Sequence, residues 1–91
     1  MPYIPEKKRN EIFCEELEYS RRPENAGELN YFITSHLHDY IEVNGLSYTT
    51  INTIIGVLEC AKLELYRQIA VPYEDTKKKE NGAVSRLDKG E

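Results

Sequence analysis

The sequence lacks most of the features that mark secreted, membrane or redox proteins. It has no tryptophan and only two cysteines in 91 residues, and Cys14 and Cys60 are too far apart for a CxxC pair. Two isolated thiols indicate neither a disulfide framework nor a zinc motif, so we expect both to be free, mostly buried and kept in a reducing compartment. No apolar run approaches the length of about 18 residues that spans a bilayer, and no signal peptide is recognisable. We therefore expect a soluble, cytoplasmic protein with no membrane partner.

Catalytic signatures are missing as well. The chain has no GxSxG, P-loop, GxGxxG or HExxH pattern. His36 and His38 are two residues apart and point to nearly opposite sides of a helix, so they cannot share a metal ion; His36 is predicted to be a core side chain and His38 an exposed one. Glu59 and Glu64 are five residues apart, whereas helical pyrophosphohydrolases hold magnesium with carboxylates spaced by three and four. We expect no enzymatic activity, no metal and no cofactor.

Basic residues are neither abundant nor concentrated. Twelve Lys and Arg stand against sixteen Asp and Glu, which gives a net charge of -4. The basic residues cluster near the two ends of the chain, among acids. Binding to the phosphate backbone of a duplex needs a broad basic surface, so duplex nucleic acid is not an expected partner. At 40% hydrophobic content, the chain is expected to form one globular domain near the lower size limit for a self-sufficient core.

Hydrophobic periodicity predicts an all-α fold built around a central helix. This helix should begin near Thr49 or Thr50 and stop or kink at Val71, because Pro72 removes a backbone donor and disfavours helical geometry before it. Apolar residues recur at steps of three and four, and further apolar residues lie elsewhere around the cylinder. A helix that is apolar on most sides is expected to be buried on most sides.

Two further helices complete the predicted three-helix bundle. The second opens at Asn25, where Glu28 forms a capping box, and ends at Asn44 and Gly45. Its short connection to the central helix predicts an antiparallel hairpin, across which a first helix from Glu6 to about Ser20 should pack. The single helical domain is thus expected to cover residues 6–82, with an N-terminal arm at 1–5 and a disordered tail at 83–91.

The central helix is also the predicted site of self-association. The apolar surface around this helix is large for so short a chain to cover, so we expect a homo-oligomer. Gly56 costs about 1 kcal/mol relative to alanine inside a helix, and this cost is usually offset by the close approach of another backbone. Gly56 and Cys60 form a pair of small residues that allows such an approach, and Tyr3 and Ile4 of the arm are apolar enough to dock on a neighbouring subunit.

A ligand site is predicted at one end of the bundle. In an antiparallel hairpin, the start of the second helix lies beside the end of the third, which brings aromatic and cationic groups together. Tyrosine can stack a base, arginine can pair with a phosphate, and a helix N-terminus favours an anion. The candidate ligand-binding residues are Asn30, Tyr31, Arg67, Tyr73 and Lys77. In the alternative interpretation, the tyrosines only seal the bundle end and Arg67 pairs with Glu74 or Asp75.

Five motifs of the chain resemble those of a family of small phage and bacterial proteins of unknown function. They are MPYIP at residues 1–5, GELNY at 27–31, the stretch 56–67, PYED at 72–75 and ENG at 80–82. The resemblance brings no catalytic residues, but it implies a viral or prophage setting. Small oligomeric proteins in that setting often counter host defence, either by sequestering a nucleotide signal or by blocking a defence protein.

Three functional hypotheses follow from these observations. The first is a non-enzymatic phage protein that acts in the host cytoplasm as a sponge for a nucleotide-type immune signal. The second is an inhibitor or adaptor that binds a host defence protein through the first helix or the N-terminal arm. The third is a small hydrolase that uses Glu59 and Glu64, which their spacing argues against.

Overall fold

All regular structure in the described residues is helical. A computed structural model describes residues 2–13 and 22–89, apart from the side chain of Phe13. The elements are α1 (Glu6–Phe13), α2 (Ala26–Asn44), α3 (Tyr48–Leu65), a π-helical segment (Tyr66–Ala70), α4 (Val71–Asn81) and a 3-10 turn (Arg86–Asp88). The predicted all-α class is therefore confirmed.

Helix α1 begins where the sequence predicts. Pro5 precedes it, and the carbonyl of Pro5 accepts the first backbone hydrogen bond from Arg9 at 3.0 Å. Proline suits this position because its missing N–H would have had no partner at a helix start. The predicted continuation of this helix to Ser20 lies outside the described residues.

Helix α2 is capped at both ends by the predicted residues. Asn25 accepts a hydrogen bond from the backbone N–H of Glu28 at 2.9 Å. The Glu28 carboxylate in turn accepts from the backbone N–H of Glu24 at 3.1 Å rather than from that of Asn25, so the capping box reaches one residue further back. At the other end Gly45 adopts φ 92°, and its N–H donates to the carbonyl of Ile41 at 2.7 Å. The left-handed conformation explains why glycine stands there.

Helix α3 starts one residue before the predicted Thr49. The hydroxyl oxygen of Ser47 accepts a hydrogen bond from the backbone N–H of Thr50 at 3.2 Å, which places the cap at Ser47. Residues 45–47 alone connect α2 to α3. Their short length is as predicted; the packing of the two helices as an antiparallel hairpin stays a prediction.

The predicted stop of the helix at Val71 is wrong, because the backbone remains helical through Pro72 to Asn81. A kink at this point stays a prediction. The α-helical pattern ends earlier, at Leu65, and gives way to π-helical bonding in which Val71 donates to the carbonyl of Tyr66, five residues back. Proline within a helix clashes with the carbonyl four residues before it and lacks a donor. The wider π turn directly before Pro72 relieves that conflict, and Pro72 then occupies the first turn of α4, where it is tolerated.

Helix α4 ends at Asn81, and Gly82 after it adopts φ 88° and donates its N–H to the carbonyl of Lys78 at 2.8 Å. Beyond it, Ser85 caps the 3-10 turn. Its hydroxyl oxygen accepts from the N–H of Leu87 at 3.1 Å, and its own N–H donates to the Asp88 carboxylate at 2.8 Å. The turn lies in the segment for which the sequence predicted disorder. The disorder of the tail as a whole stays a prediction.

Asp88 makes this turn sensitive to acid. The backbone N–H groups of Ser85 and Val84 donate to its carboxylate and hold the pKa of Asp88 below its ordinary value of 3.8. Because the folded pKa is depressed, the carboxylate stabilises the turn fully above pH 3.8 and loses that effect as the pH falls through the lowered value. We expect the amide proton resonances of Val84 and Ser85 to move towards random-coil positions in this acidic window. An identical titration in Asp88→Asn would contradict this assignment.

The chain divides into two compact units, Met1–Val57 and Leu58–Glu91. In the first unit Thr50 and Ile54, one helical turn apart, are buried. In the second unit no described side chain is buried to that degree. The prediction that the central helix is buried on most sides is therefore wrong for the single chain, since Ile51, Ile55 and Leu65 of α3 are exposed. Periodicity identifies which sides are apolar but not what covers them.

Candidate functional site

Tyr73 and Lys77 form an exposed aromatic and cationic pair on α4. The Nζ of Lys77 lies 5.6 Å from the centre of the Tyr73 ring, which is within the range of a cation–π interaction. The same Nζ lies 3.3 Å from a carboxylate oxygen of Glu80. Tyr73 is 63% exposed. The pair thus presents an aromatic surface and a positive charge side by side in solvent.

Arg67 lies within the π-helical segment, and its Nη1 is 3.3 Å from the Glu64 carboxylate. The alternative pairing with Glu74 or Asp75 is wrong, because Glu64 stands three residues before Arg67 on the same helix and is nearer. The Glu64 side chain is mostly covered, whereas that of Arg67 is mostly exposed. The guanidinium is therefore oriented by its acid partner yet accessible, and π turns occur frequently at functional sites.

Asn30 and Tyr31 lie in the first unit, near the start of α2. Asn30 Oδ1 accepts a hydrogen bond from Thr34 Oγ1 at 3.0 Å, and Tyr31 is 77% exposed. Arg67, Tyr73 and Lys77 lie in the second unit. Both groups are accessible, as a ligand site requires. Their meeting at one end of a bundle stays a prediction.

A lysine-rich groove in the second unit was not found from the sequence. This open groove of about 570 Å³ is lined by Asp75, Lys78, Lys79, Ala83 and Lys89. Three ammonium groups against one carboxylate favour an anion there. The run of lysines at 77–79 is the sequence signal for it. The acids around this run and the predicted disorder of the tail that contains Lys89 hide that signal.

Glu59 does not form part of an acidic site. Its carboxylate lies 3.3 Å from the Nζ of Lys62, and both side chains are largely exposed, as expected for an ordinary surface pair. Within residues 2–13 and 22–89, no group of three or more His, Cys, Asp or Glu side chains is arranged to hold a metal ion.

The predicted interface residues of the central helix are accessible. A Cβ built on Gly56 meets nothing within 4 Å, so no close approach among the described residues accounts for this glycine. Cys60 is a free, exposed thiol. The expectation that it is buried is wrong in the single chain. Cys60 stands only about 40° round the helix from Gly56, on the side where the described residues leave open space. Cys14 lies outside the described residues. In the N-terminal arm, Tyr3 is exposed and Ile4 half-buried.

His36 is not a core residue. It is exposed, and its ring meets that of Phe32 edge-on at 4.6 Å between centres. The half-buried side of α2 is instead the side of Leu37, about 100° round the helix. His38 is exposed, as predicted.

Comparison with known proteins identifies a family. In the part of the chain that the structure describes, no helix combines the length and hydropathy needed to cross a bilayer. No curated protein and no solved structure matches the chain significantly. The family described as domain of unknown function DUF6899 matches residues 1–84, and the chain therefore belongs to it.

Proposed function

We propose that this chain is a non-enzymatic binding protein that works as a homo-oligomer and holds a nucleotide-type ligand. The observation that supports the proposal best is the extent of uncovered apolar surface. Ile54 is the one hydrophobic side chain that is buried among the described residues, whereas large apolar side chains on α2, α3 and the π-helical segment are exposed. Exposed apolar surface of this extent marks a site of association.

The apolar side chains that the described residues leave exposed lie on several helices, which supports self-association. Within this proposal, α2 and α3 pair as the antiparallel hairpin of a three-helix bundle, which their three-residue connection favours. Gly56, Cys60, Tyr3 and Ile4 then face a second copy.

The ligand class is argued from the second unit. An aromatic ring beside an ammonium group, as in Tyr73 and Lys77, suits a base that stacks and a phosphate that needs a cation. Arg67 supplies a planar guanidinium for the same phosphate, and the lysine-rich groove adds positive potential. In the first unit, taken by itself, Asn30 offers a hydrogen bond and Tyr31 an exposed stacking surface to the same class of ligand. No step of chemistry is needed, so the ligand is held rather than converted.

The biological setting belongs to the same proposal. We place the protein in the cytoplasm of a phage-infected host, where it sequesters a nucleotide immune signal. A second candidate is an inhibitor that binds a host defence protein through α1 or the arm. The exposed side chains of Tyr3 and Ile12 on that segment favour it.

Native mass spectrometry with a panel of cyclic and ADP-ribose-derived nucleotides tests the proposal. We expect a discrete oligomer that gains the mass of one intact nucleotide per site and releases it unchanged on heating. Release of a product instead would indicate an enzyme. An oligomer that gains no mass would contradict the nucleotide ligand, and capture of a host protein from lysate would then test the second candidate.

Arg67→Ala is the matching site variant, and Lys62→Ala is its control. Both variants remove a cation of the same helical region that lies 3.3 Å from an acid three residues before it. Only Arg67 is assigned to the ligand. We expect Arg67→Ala to lose nucleotide binding with its helicity unchanged, and Lys62→Ala to bind as wild type does. Equal affinity in both variants would remove Arg67 from the site.

A further inference from the structure

Helix α2 is apolar on two sides, and the described residues cover only one of them. The half-buried side consists of Thr34, Leu37 and Ile41. A second stripe follows steps of four, three, four and three, and every one of its residues is exposed: Leu29, Ile33, His36, Tyr40 and Val43. At about 100° per residue, the two stripes lie roughly a quarter to a third of a turn apart. We call the second stripe the outer α2 face.

The spacing of the outer α2 face suits pairing with a copy of itself. Its average repeat of about 3.5 residues is that of coiled-coil packing. The positions are nearly symmetric about His36. If two copies meet antiparallel around a two-fold axis at His36, Leu29 meets Val43 of the second copy and Ile33 meets its Tyr40. Every apolar side chain then faces another apolar side chain, which an isologous interface requires.

The borders of the face also favour a second copy over a foreign partner. Charged residues beside a coiled-coil seam normally select the partner. Here the bordering residues are neutral except for one acid: Asn30, Phe32, Leu37, Asp39 and Asn44. A neutral border attracts no oppositely charged protein. It also lets two chains that each carry a net charge of -4 approach with little repulsion.

The outer α2 face carries none of the residues assigned above to the interface around Gly56, so it is a separate surface.

We infer that the outer α2 face binds the same face of a second copy, antiparallel, with the two-fold axis near His36. This inference rests on the proposed homo-oligomer and adds to it a specific contact and direction.

Val43→Glu tests the contact. Val43 is 79% exposed in the single chain, so a carboxylate there remains hydrated unless a second copy covers it. Ser35→Glu is the control, because it adds the same charge to the same helix about 120° round from the face. In size-exclusion chromatography with light scattering, we expect Val43→Glu to raise the dissociation constant of this contact at least about tenfold, since two buried carboxylates oppose it. We expect Ser35→Glu to keep the wild-type mass.

Cysteine cross-linking tests the direction. In a background of Cys14→Ser and Cys60→Ser, oxidation of Leu29→Cys/Val43→Cys should give a covalent dimer. Val43→Cys alone should not, because antiparallel copies place its two thiols about 20 Å apart along the helix, beyond the reach of a disulfide. Efficient linkage of Val43→Cys alone would indicate parallel pairing and overturn the inferred direction.

The possible outcomes distinguish this inference from the proposed homo-oligomer on which it rests. A wild-type monomer would overturn both. A wild-type oligomer that Val43→Glu leaves intact would overturn only the outer α2 face. If Val43→Glu loses its helicity, the cross-linking result decides, since the cysteine variants add no charge.

Discussion

Replacing Ile54 by aspartate is expected to unfold the chain, whereas the same replacement at Ile55 is expected to preserve the helices and weaken assembly. Ile54 is 8% exposed, while its neighbour is 61% exposed. A carboxylate forced into an apolar site costs about 4 kcal/mol or more, which approaches the whole stability of a small domain at about 5 kcal/mol. At Ile55 the carboxylate stays hydrated in the single chain, and only a covering copy would bury it.

Far-UV circular dichroism and light scattering on the two variants check this pair of results. We expect Ile54→Asp to lose most of its helical signal. We expect Ile55→Asp to keep that signal at a lower oligomer mass. If both variants keep wild-type helicity, Ile54 is not the centre of the core. If Ile55→Asp keeps the wild-type mass as well, this side of α3 takes no part in assembly.

Gly56→Leu is expected to raise the dissociation constant of the oligomer by roughly 100-fold while the helix itself becomes more stable. Overpacking costs about 1–3 kcal/mol at each site, and a symmetric contact contains the site twice. Within the described residues a side chain at Gly56 meets open space. Removing a helix-interior glycine therefore gains roughly 1 kcal/mol of helix stability. The two effects have opposite signs, so they can be measured separately.

Thermal unfolding and sedimentation equilibrium on Gly56→Ala and Gly56→Leu distinguish close packing from a tolerated glycine. Under close packing, assembly weakens from glycine to alanine to leucine. If both variants assemble as wild type and unfold at higher temperature, Gly56 has no partner. The interface would then have to be sought on other surfaces.

Local features of the fold followed from sequence because each depends on a few neighbouring residues. The Asn25 cap and the left-handed Gly45 involve hydrogen bonds that span five residues or fewer. Capping preferences describe such bonds directly. For the same reason the start of α1 after Pro5 was predicted correctly.

Features that depend on a distant partner were predicted less well. The sequence predicts that His36 and Cys60 are buried, yet both are exposed. Hydrophobic spacing identifies an apolar side and does not reveal whether the same chain or another molecule covers it. The predicted helix stop at Val71 is wrong for a different reason. The rule that proline ends an α-helix does not anticipate that the turn before the proline can widen into a π turn.

In the candidate site, too, contacts between residues close in sequence could be predicted, whereas contacts between distant residues could not. The spacing of four residues that pairs Tyr73 with Lys77 is visible in the sequence, as is the spacing of three that pairs Arg67 with Glu64. The lysine-rich groove was not visible. It depends on the segment after Gly82 placing Ala83 and Lys89 in the same groove as the lysines of α4, and no periodicity describes that.

The π-helical segment before Pro72 also changes what a length change would mean in this chain. A wide turn accommodates a residue that a regular α-helix of the same length would not hold. In a regular α-helix, deleting one residue turns everything after it by about 100° around the helix axis. Between Tyr66 and Ala70, the same deletion would instead let the wide turn tighten to regular α-helical bonding. Tyr73 and Lys77 would then keep nearly the direction that they face now. This segment therefore absorbs a change of one residue in length that a regular helix would pass on as a rotation.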